Sequence, residues 1–166
     1  FNRHDFRAST IIGKGYGYCV AKAIVLTAAG RWAGIPSRLR FADVRNHLTT
    51  ERLKKLMKTD LFVYHGYTEF LLGGRWIKVT PTFNSTLCAR FRVKPLDFDG
   101  VHDAIFHPYD MEGRRHMEYV TDHGPFTDVP YEKIIEMFKT HYGIYFQKEK
   151  PVGAGAFDRE AETDRR

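Results

Sequence analysis

The stretch "LFVYHGYTEFLLGGRWIKVTPTF", residues 61–83, contains two runs of alternating side chains around Gly73 and Gly74. Two such runs separated by a pair of glycines predict an antiparallel β-hairpin with a two-residue turn. That turn sets the register and places Glu69 opposite Lys78. Because side chains alternate between the two faces of a strand, several polar and aromatic residues then share one face. They are His65, Tyr67, Glu69, Trp76, Lys78 and Thr80.

A second informative stretch is "GYGYCVAKAIVL", residues 15–26. A glycine-rich loop at 13–18 leads to Cys19, and the apolar residues from there to about Trp32 predict a mostly buried helix. Cys19 is therefore expected at a helix N-terminus, where unpaired backbone N–H groups favour negative charge. We expect this position to lower the pKa of the Cys19 thiol, and the same N–H groups are candidates for holding an oxyanion.

The remaining patterns predict one domain of helices and strands over residues 1–149, followed by a mobile tail at 150–166 that is rich in Gly, Ala and charged residues. Residues 1–12 are expected to lead into the glycine loop, and residues 84–92 show no clear preference. The other predicted elements are a strand at 37–44, a helix at 49–58, further strands and turns at 95–124, and a helix at 130–143.

Composition narrows the class of protein. The 166 residues are 43% hydrophobic, which is enough for a core. The net charge is +6, but the basic residues are scattered, so no nucleic-acid partner is expected. No apolar run is long enough to cross a membrane, and no signal peptide is evident. Two cysteines form no disulfide framework, so a cytoplasmic location is expected; a lost signal sequence stays open because the chain begins at Phe1.

Other chemically active side chains have simpler interpretations. Cys88 lies among apolar residues and is expected to be buried and inert. Arg38 either buries its charge against a carboxylate, which is the favoured interpretation, or contacts substrate. Asn46 either lines a pocket or sits in a surface turn. A group of histidines and aspartates fits no zinc or iron spacing, so no metal and no cofactor are expected. These residues are His102, His107, His116 and His123, with Asp99, Asp103 and Asp110.

Four segments in one order resemble the transglutaminase-like superfamily of papain-type cysteine enzymes. In that family a cysteine opens a helix after a glycine-rich loop, a "GIPSR"-type turn follows, and a His-x-x-x-Glu strand precedes a Trp strand that ends in Asp-Pro-Thr. The resemblance covers residues 13–84, and the extension at 95–130 resembles that of one bacterial branch. It implies a papain-like α+β core in which the Cys-bearing helix packs on an antiparallel sheet. The matching segments are "GYGYCVAKAIVL", "AGIPSRLRFADV" at 33–44, "HGYTEFLLGGRWIKV" at 65–79 and "TPTFN" at 80–84.

The resemblance implies that Cys19 is a nucleophile and that His65 is its general base. At the position of the family's aspartate this chain has Thr80, in "VTPTF". A threonine hydroxyl can accept a hydrogen bond from His65 but carries no charge to stabilise the imidazolium. Glu69 lies about 13 Å from His65 by strand rise, so it is expected to pair with Lys78 instead. Gly17 and Tyr18 are candidates for the oxyanion and substrate loop. Candidate pocket residues are Tyr16, Asn46, Tyr67, Glu69 and Trp76.

The implied chemistry is acyl transfer at an amide through a Cys19 thioester. Hydrolysis is favoured over cross-linking, and the expected substrate is a protein, a peptide or a small amide. Because Thr80 replaces the aspartate, a catalytically inactive binding module is the alternative. A specialised transferase or cyclase acting on a small molecule is a third interpretation. The oligomeric state stays open.

Overall fold

Five α-helices and four β-strands are present in the part of the chain that the structure, a computed structural model, describes: residues 2–49 and 51–142. A short 3-10 turn at Arg3–Phe6 precedes them. In chain order the elements are α1 (Ala8–Lys14), α2 (Cys19–Trp32), β1 (Ser37–Asn46), α3 (Glu51–Met57), β2 (Leu61–Leu72), β3 (Arg75–Val79), α4 (Ser85–Phe91), β4 (Met117–Phe126) and α5 (Tyr131–Tyr142).

The four strands form one antiparallel sheet in the order β3-β2-β1-β4. Helix α2 packs on one face of this sheet and begins at Cys19. The predicted α+β class, with a Cys-bearing helix on an antiparallel sheet, is therefore confirmed. No helix in the described ranges combines the length and the apolar character needed to cross a bilayer.

The hairpin has the predicted register, with Glu69 opposite Lys78. Its turn residues, Gly73 and Gly74, have φ angles of 54° and 77°, which is the left-handed conformation that two-residue hairpin turns need. The second strand was predicted to continue to residue 83, but β3 ends at Val79. Beyond it the amide of Thr80 donates to the carbonyl of Ala104 at 2.9 Å, so a loop replaces the partner strand.

Strand β2 approaches α2 closely because Gly66 has no side chain. A Cβ atom at Gly66 would lie 2.9 Å from the Cα of Val20, on the first turn of α2. Two residues further on, the buried hydroxyl of Thr68 donates to the carbonyl of Ala23 at 3.1 Å and lies 2.9 Å from the hydroxyl of Thr27. Even-numbered residues at the centre of β2 therefore face the helix, and odd-numbered residues face away from it.

Each face of the sheet has its own buried apolar cluster. The cluster on the α2 side includes residues of α1, α2, α5 and the sheet: Ile11, Val20, Ala23, Ile24, Leu39, Phe41, Val63, Ile134 and Phe138. The cluster on the opposite side includes Ala42, Val44, Tyr67, Phe106 and Met117. Because Phe106 comes from the long segment between α4 and β4, that segment covers the second face and buries its polar residues.

Several sequence-based boundaries differ from the structure. Residues 1–12, which were predicted only to lead into the glycine loop, contain the 3-10 turn and most of α1. Residues 84–92, which showed no clear preference, contain α4. Of the strands predicted at 95–124, the structure has only β4, because residues 95–116 form only single bridges. Helix α1 buries only Ile11, and α4 buries only Leu87 and Cys88, which leaves too little periodicity to detect. The predicted tail at 150–166 lies outside the described residues, and the domain boundary stays a prediction.

Candidate active site

Cys19 is the first residue of α2 and is partly exposed. Its thiol meets the backbone N–H of Gly66 on β2, together with the N–H groups of Val20 and of Cys19 itself. One turn later, Lys22 donates from Nζ to the carbonyl of Thr82 at 2.6 Å. The start of α2, the centre of β2 and the segment after β3 therefore converge at the thiol.

The electrostatic environment of Cys19 differs from the sequence-based prediction. Burial raises the pKa of the Cys19 thiol and outweighs the opposite effects of the Gly66, Val20 and Cys19 N–H groups and of the Lys22 ammonium. The prediction of a lowered pKa was wrong because it counted only the helix terminus and not the desolvation of the thiolate. At neutral pH the resting side chain is a thiol.

His65 lies on β2 directly before Gly66, opposite Ala42 of β1, and is only 3% exposed. Its ring is 5.0 Å from the Phe106 ring and about 6.3 to 6.5 Å from the rings of Tyr67 and Tyr119, centroid to centroid. Burial lowers the pKa of His65 to about 3. Its Nε2 atom is buried and has no hydrogen-bond partner among the residues that the structure describes. The imidazole is therefore neutral at physiological pH.

Thr80 is buried beside Tyr119, a residue that sequence reasoning missed. The Thr80 hydroxyl lies 3.5 Å from the Tyr119 hydroxyl, whereas the Nε2 atom of His65 has no partner in the described part of the chain. Burial raises the pKa of Tyr119 to about 12, so its phenol stays protonated. Nothing in the local sequence of β4 marks Tyr119, because only the pairing of β4 with β1 brings it to this face.

Glu69 forms ion pairs with two arginines of β1. Glu69 is only 1% exposed. Its carboxylate accepts from Arg38 Nε at 2.6 Å and from Arg40 Nη1 at 3.0 Å. Arg38 also stacks 3.8 Å above the Trp76 ring. The predicted pairing with Lys78 was wrong, although the register was right, because the other neighbouring strand supplies two guanidinium groups. Arg38 does bury its charge against a carboxylate, as predicted.

The loop before Cys19 brings two of the candidate residues close to the thiol. Gly17 packs against the first turn of α2, where a Cβ atom would lie 2.6 Å from that of Ala21. The Tyr18 ring is 6.3 Å from the Phe138 ring of α5, and burial of its hydroxyl raises the pKa of Tyr18. Tyr16 is exposed. The loop therefore packs against the first turn of α2 and against α5.

Asn46 lies elsewhere. It ends β1, four residues beyond Ala42, which corresponds to about 13 Å by strand rise. It is 4% exposed, and its Oδ1 accepts from the Leu48 amide at 3.0 Å. Its carbonyl also accepts from the Thr49 amide at 3.4 Å, so Asn46 opens a turn, as predicted, although its side chain is buried.

Cys88 is buried in α4, in keeping with its expected role as a small apolar residue. The described residues include no cluster of three or more histidine, cysteine, aspartate or glutamate side chains arranged to hold a metal ion.

Comparison with known families gives a match to about half of the chain. Residues 2–81 match the model of the transglutaminase-like superfamily. This segment includes Cys19, His65 and Thr80. Comparison with curated proteins and with solved structures found no significant match.

Proposed function

Because residues 2–81 of the chain belong to the transglutaminase-like superfamily, we propose that this protein is a cysteine-dependent acyl-transfer enzyme that acts on amides. The observation that carries the proposal is the position of Cys19. Its thiol opens a buried helix and meets the N–H of Gly66, next to His65 in the chain. A nucleophile and hydrogen-bond donors for an oxyanion are two of the parts that acyl transfer requires; the third part, the base, is assigned to His65 from the resemblance.

The proposed reaction begins from a neutral pair. Since burial raises the pKa of Cys19 and lowers that of His65, the thiol gives its proton to the imidazole while sulfur attacks the carbonyl carbon. A C–S bond forms and the carbonyl π electrons move to oxygen, where the N–H groups of Val20 and Gly66 are candidate donors. The intermediate then expels the amine, which takes the proton from His65 and leaves a thioester on Cys19.

In the second half of the reaction, water attacks the thioester and His65 accepts its proton. The acid is released, and the proton returns to sulfur. An amine in place of water would give cross-linking or transfer. We favour hydrolysis of a protein, a peptide or a small amide, and this choice follows the resemblance rather than the geometry.

The proposal can be tested without knowing the substrate. The protein is incubated with p-nitrophenyl acetate, and p-nitrophenolate release and acetylation of Cys19 are followed by absorbance and peptide mass spectrometry. We expect acetylation of Cys19 in the wild type and in Cys88→Ser, none in Cys19→Ser, and acetylation at least about 100-fold slower in His65→Gln. Iodoacetamide labelling of Cys19 should increase steeply above about pH 8, because only the thiolate reacts. Absence of Cys19 acetylation in folded wild-type protein would overturn the enzyme proposal.

The second candidate function is a binding module without catalysis. It is favoured by Thr80 at the family's aspartate position and by the unpartnered Nε2 of His65 within the described ranges. The Thr80→Asp variant separates the two functions. A carboxylate at this buried position would favour the imidazolium and should speed acetylation about tenfold or more. An inactive wild type together with an active Thr80→Asp variant would support a module that has lost its chemistry.

A further inference from the structure

Strand β2 carries an extra residue just before His65. Ala42 of β1 pairs with His65, but Val44, two residues further on, pairs with Phe62, so two steps along β1 match three along β2. Tyr64 has a left-handed backbone with φ of 51°, which is uncommon outside glycine and needs support from its surroundings. Because side chains alternate along a strand, this bulge helps decide the face on which His65 lies.

The support comes from a buried carboxylate. Asp43 is 7% exposed, and its Oδ1 accepts from the Tyr64 amide at 3.0 Å. The same oxygen lies 2.7 Å from Nε2 of His123. Since an ionised carboxylate only accepts, Nε2 of His123 carries the hydrogen. The Tyr64 and His123 rings stack with centroids 4.3 Å apart and planes at 20°.

His123 is itself the extra residue of a second bulge. Its neighbours on β4, Asp122 and Gly124, pair with the consecutive residues Ala42 and Phe41 of β1, so His123 has no partner in this ladder. One oxygen of Asp43 therefore binds two bulge residues, Tyr64 on β2 and His123 on β4, which lie on either side of β1.

We propose that Asp43 is a positioning residue for His65. Its Oδ1 holds the bulges of β2 and β4 together and so fixes the imidazole that follows Tyr64 in the chain. The catalytic consequence rests on the proposed function, in which His65 is the base. The structural consequence, a fixed His65 ring, does not rest on it.

Three variants test this role. Asp43→Ala removes the acceptor, whereas Asp43→Asn keeps Oδ1 and the side-chain volume and removes the charge. Asp110→Ala is the matched control, because Asp110 is also 7% exposed and its Oδ1 accepts from the amides of Glu112 at 2.9 Å and Arg114 at 2.8 Å. Asp110 lies in a turn outside the four-stranded sheet. Asp110→Ala should therefore lose stability as Asp43→Ala does, but without removing a contact to β2.

The readouts are the side-chain NMR signals of ¹⁵N- and ¹³C-labelled histidine, with His65 assigned from His65→Gln, and the rate of Cys19 acetylation by p-nitrophenyl acetate. In Asp43→Ala we expect a shifted His65 signal and acetylation about 100-fold slower, as for a misplaced catalytic group. Asp43→Asn should restore both, and Asp110→Ala should leave both unchanged. An unmoved His65 signal in folded Asp43→Ala, or an equal shift in Asp110→Ala, would overturn the proposal.

Two further results keep the test decisive. If Asp43→Ala does not fold, His123→Phe replaces it, since it keeps a ring against Tyr64 but removes the donor to Asp43. A shifted His65 signal in that variant supports the role, and an unchanged one overturns it. If the wild type is not acetylated at all, the proposed function fails, while the His65 signal still decides whether Asp43 positions the ring.

Discussion

Replacing Gly66 with alanine tests the contact on which the candidate site depends. The added Cβ would lie 2.9 Å from Val20 Cα, 3.2 Å from Phe41 Cε1 and 3.4 Å from Val20 Cγ2. The nearest atom belongs to the backbone of α2 and cannot rotate away, so the helix and β2 must separate. Overpacking of this kind costs about 1 to 3 kcal/mol. For a domain of this size we expect a fall in Tm of roughly 3 to 10 °C.

The assay is thermal unfolding followed by circular dichroism, combined with acetylation of Cys19. Gly13→Ala is the control, because no atom lies within 4 Å of its added Cβ and the position is inside α1. Alanine favours a helix over glycine by about 1 kcal/mol, so Gly13→Ala should have an unchanged or slightly higher Tm. Gly66→Ala should also react more slowly at Cys19, as the N–H of Gly66 moves away from the thiol. A Gly66→Ala variant as stable and as reactive as the wild type would refute the close packing of α2 on β2.

Two further predictions concern buried charge. Glu69→Gln leaves Arg38 and Arg40 without their buried counter-ion and should lower the free energy of unfolding by about 3 kcal/mol or more in urea titrations. The control is Glu112→Gln, which removes an exposed pair with Arg92 and should change the free energy of unfolding little. Equal losses in the two variants would contradict the structure. Burial lowers the pKa of His65 to about 3 and that of His116 to about 4. The unfolded chain therefore takes up protons below about pH 6.5 that the folded protein does not, so the free energy of unfolding should fall by about 1.4 kcal/mol per pH unit for each histidine. Urea titrations between about pH 7 and pH 5 check this, and His116→Leu should reduce the slope; a pH-independent free energy would count against both buried imidazoles.

The elements that the sequence predicted well depend on local interactions. The register of the β2–β3 hairpin follows from the two-residue turn at Gly73 and Gly74, and the start of α2 at Cys19 follows from the change of a glycine-rich loop into an apolar run. Turn geometry and side-chain periodicity act over a few residues, so they can be recognised without knowing the rest of the fold. They also place His65, Tyr67 and Glu69 on one face of β2.

The partners of these residues depended on the tertiary structure. Tyr119 and Phe106 reach His65 only because β4 and the segment before it return to the sheet. Glu69 binds arginines of β1 because that strand lies on its other side. The Asp43 contacts with Tyr64 and His123 require two bulges, which a regular alternating pattern does not predict.

The sequence by itself determined the order of the motifs, and the class of fold followed from their resemblance to a known family. It also determined which side chains lie on one face of the hairpin, because turn geometry and alternation act over a few residues. Only the tertiary structure decided the charge state of the site. The pKa directions of Cys19 and His65 are set mainly by the loss of water around each group, and desolvation is a property of all the elements packed around a side chain. The neutral states of the Cys19 thiol and of the His65 imidazole therefore depend on the fold and not on the motif.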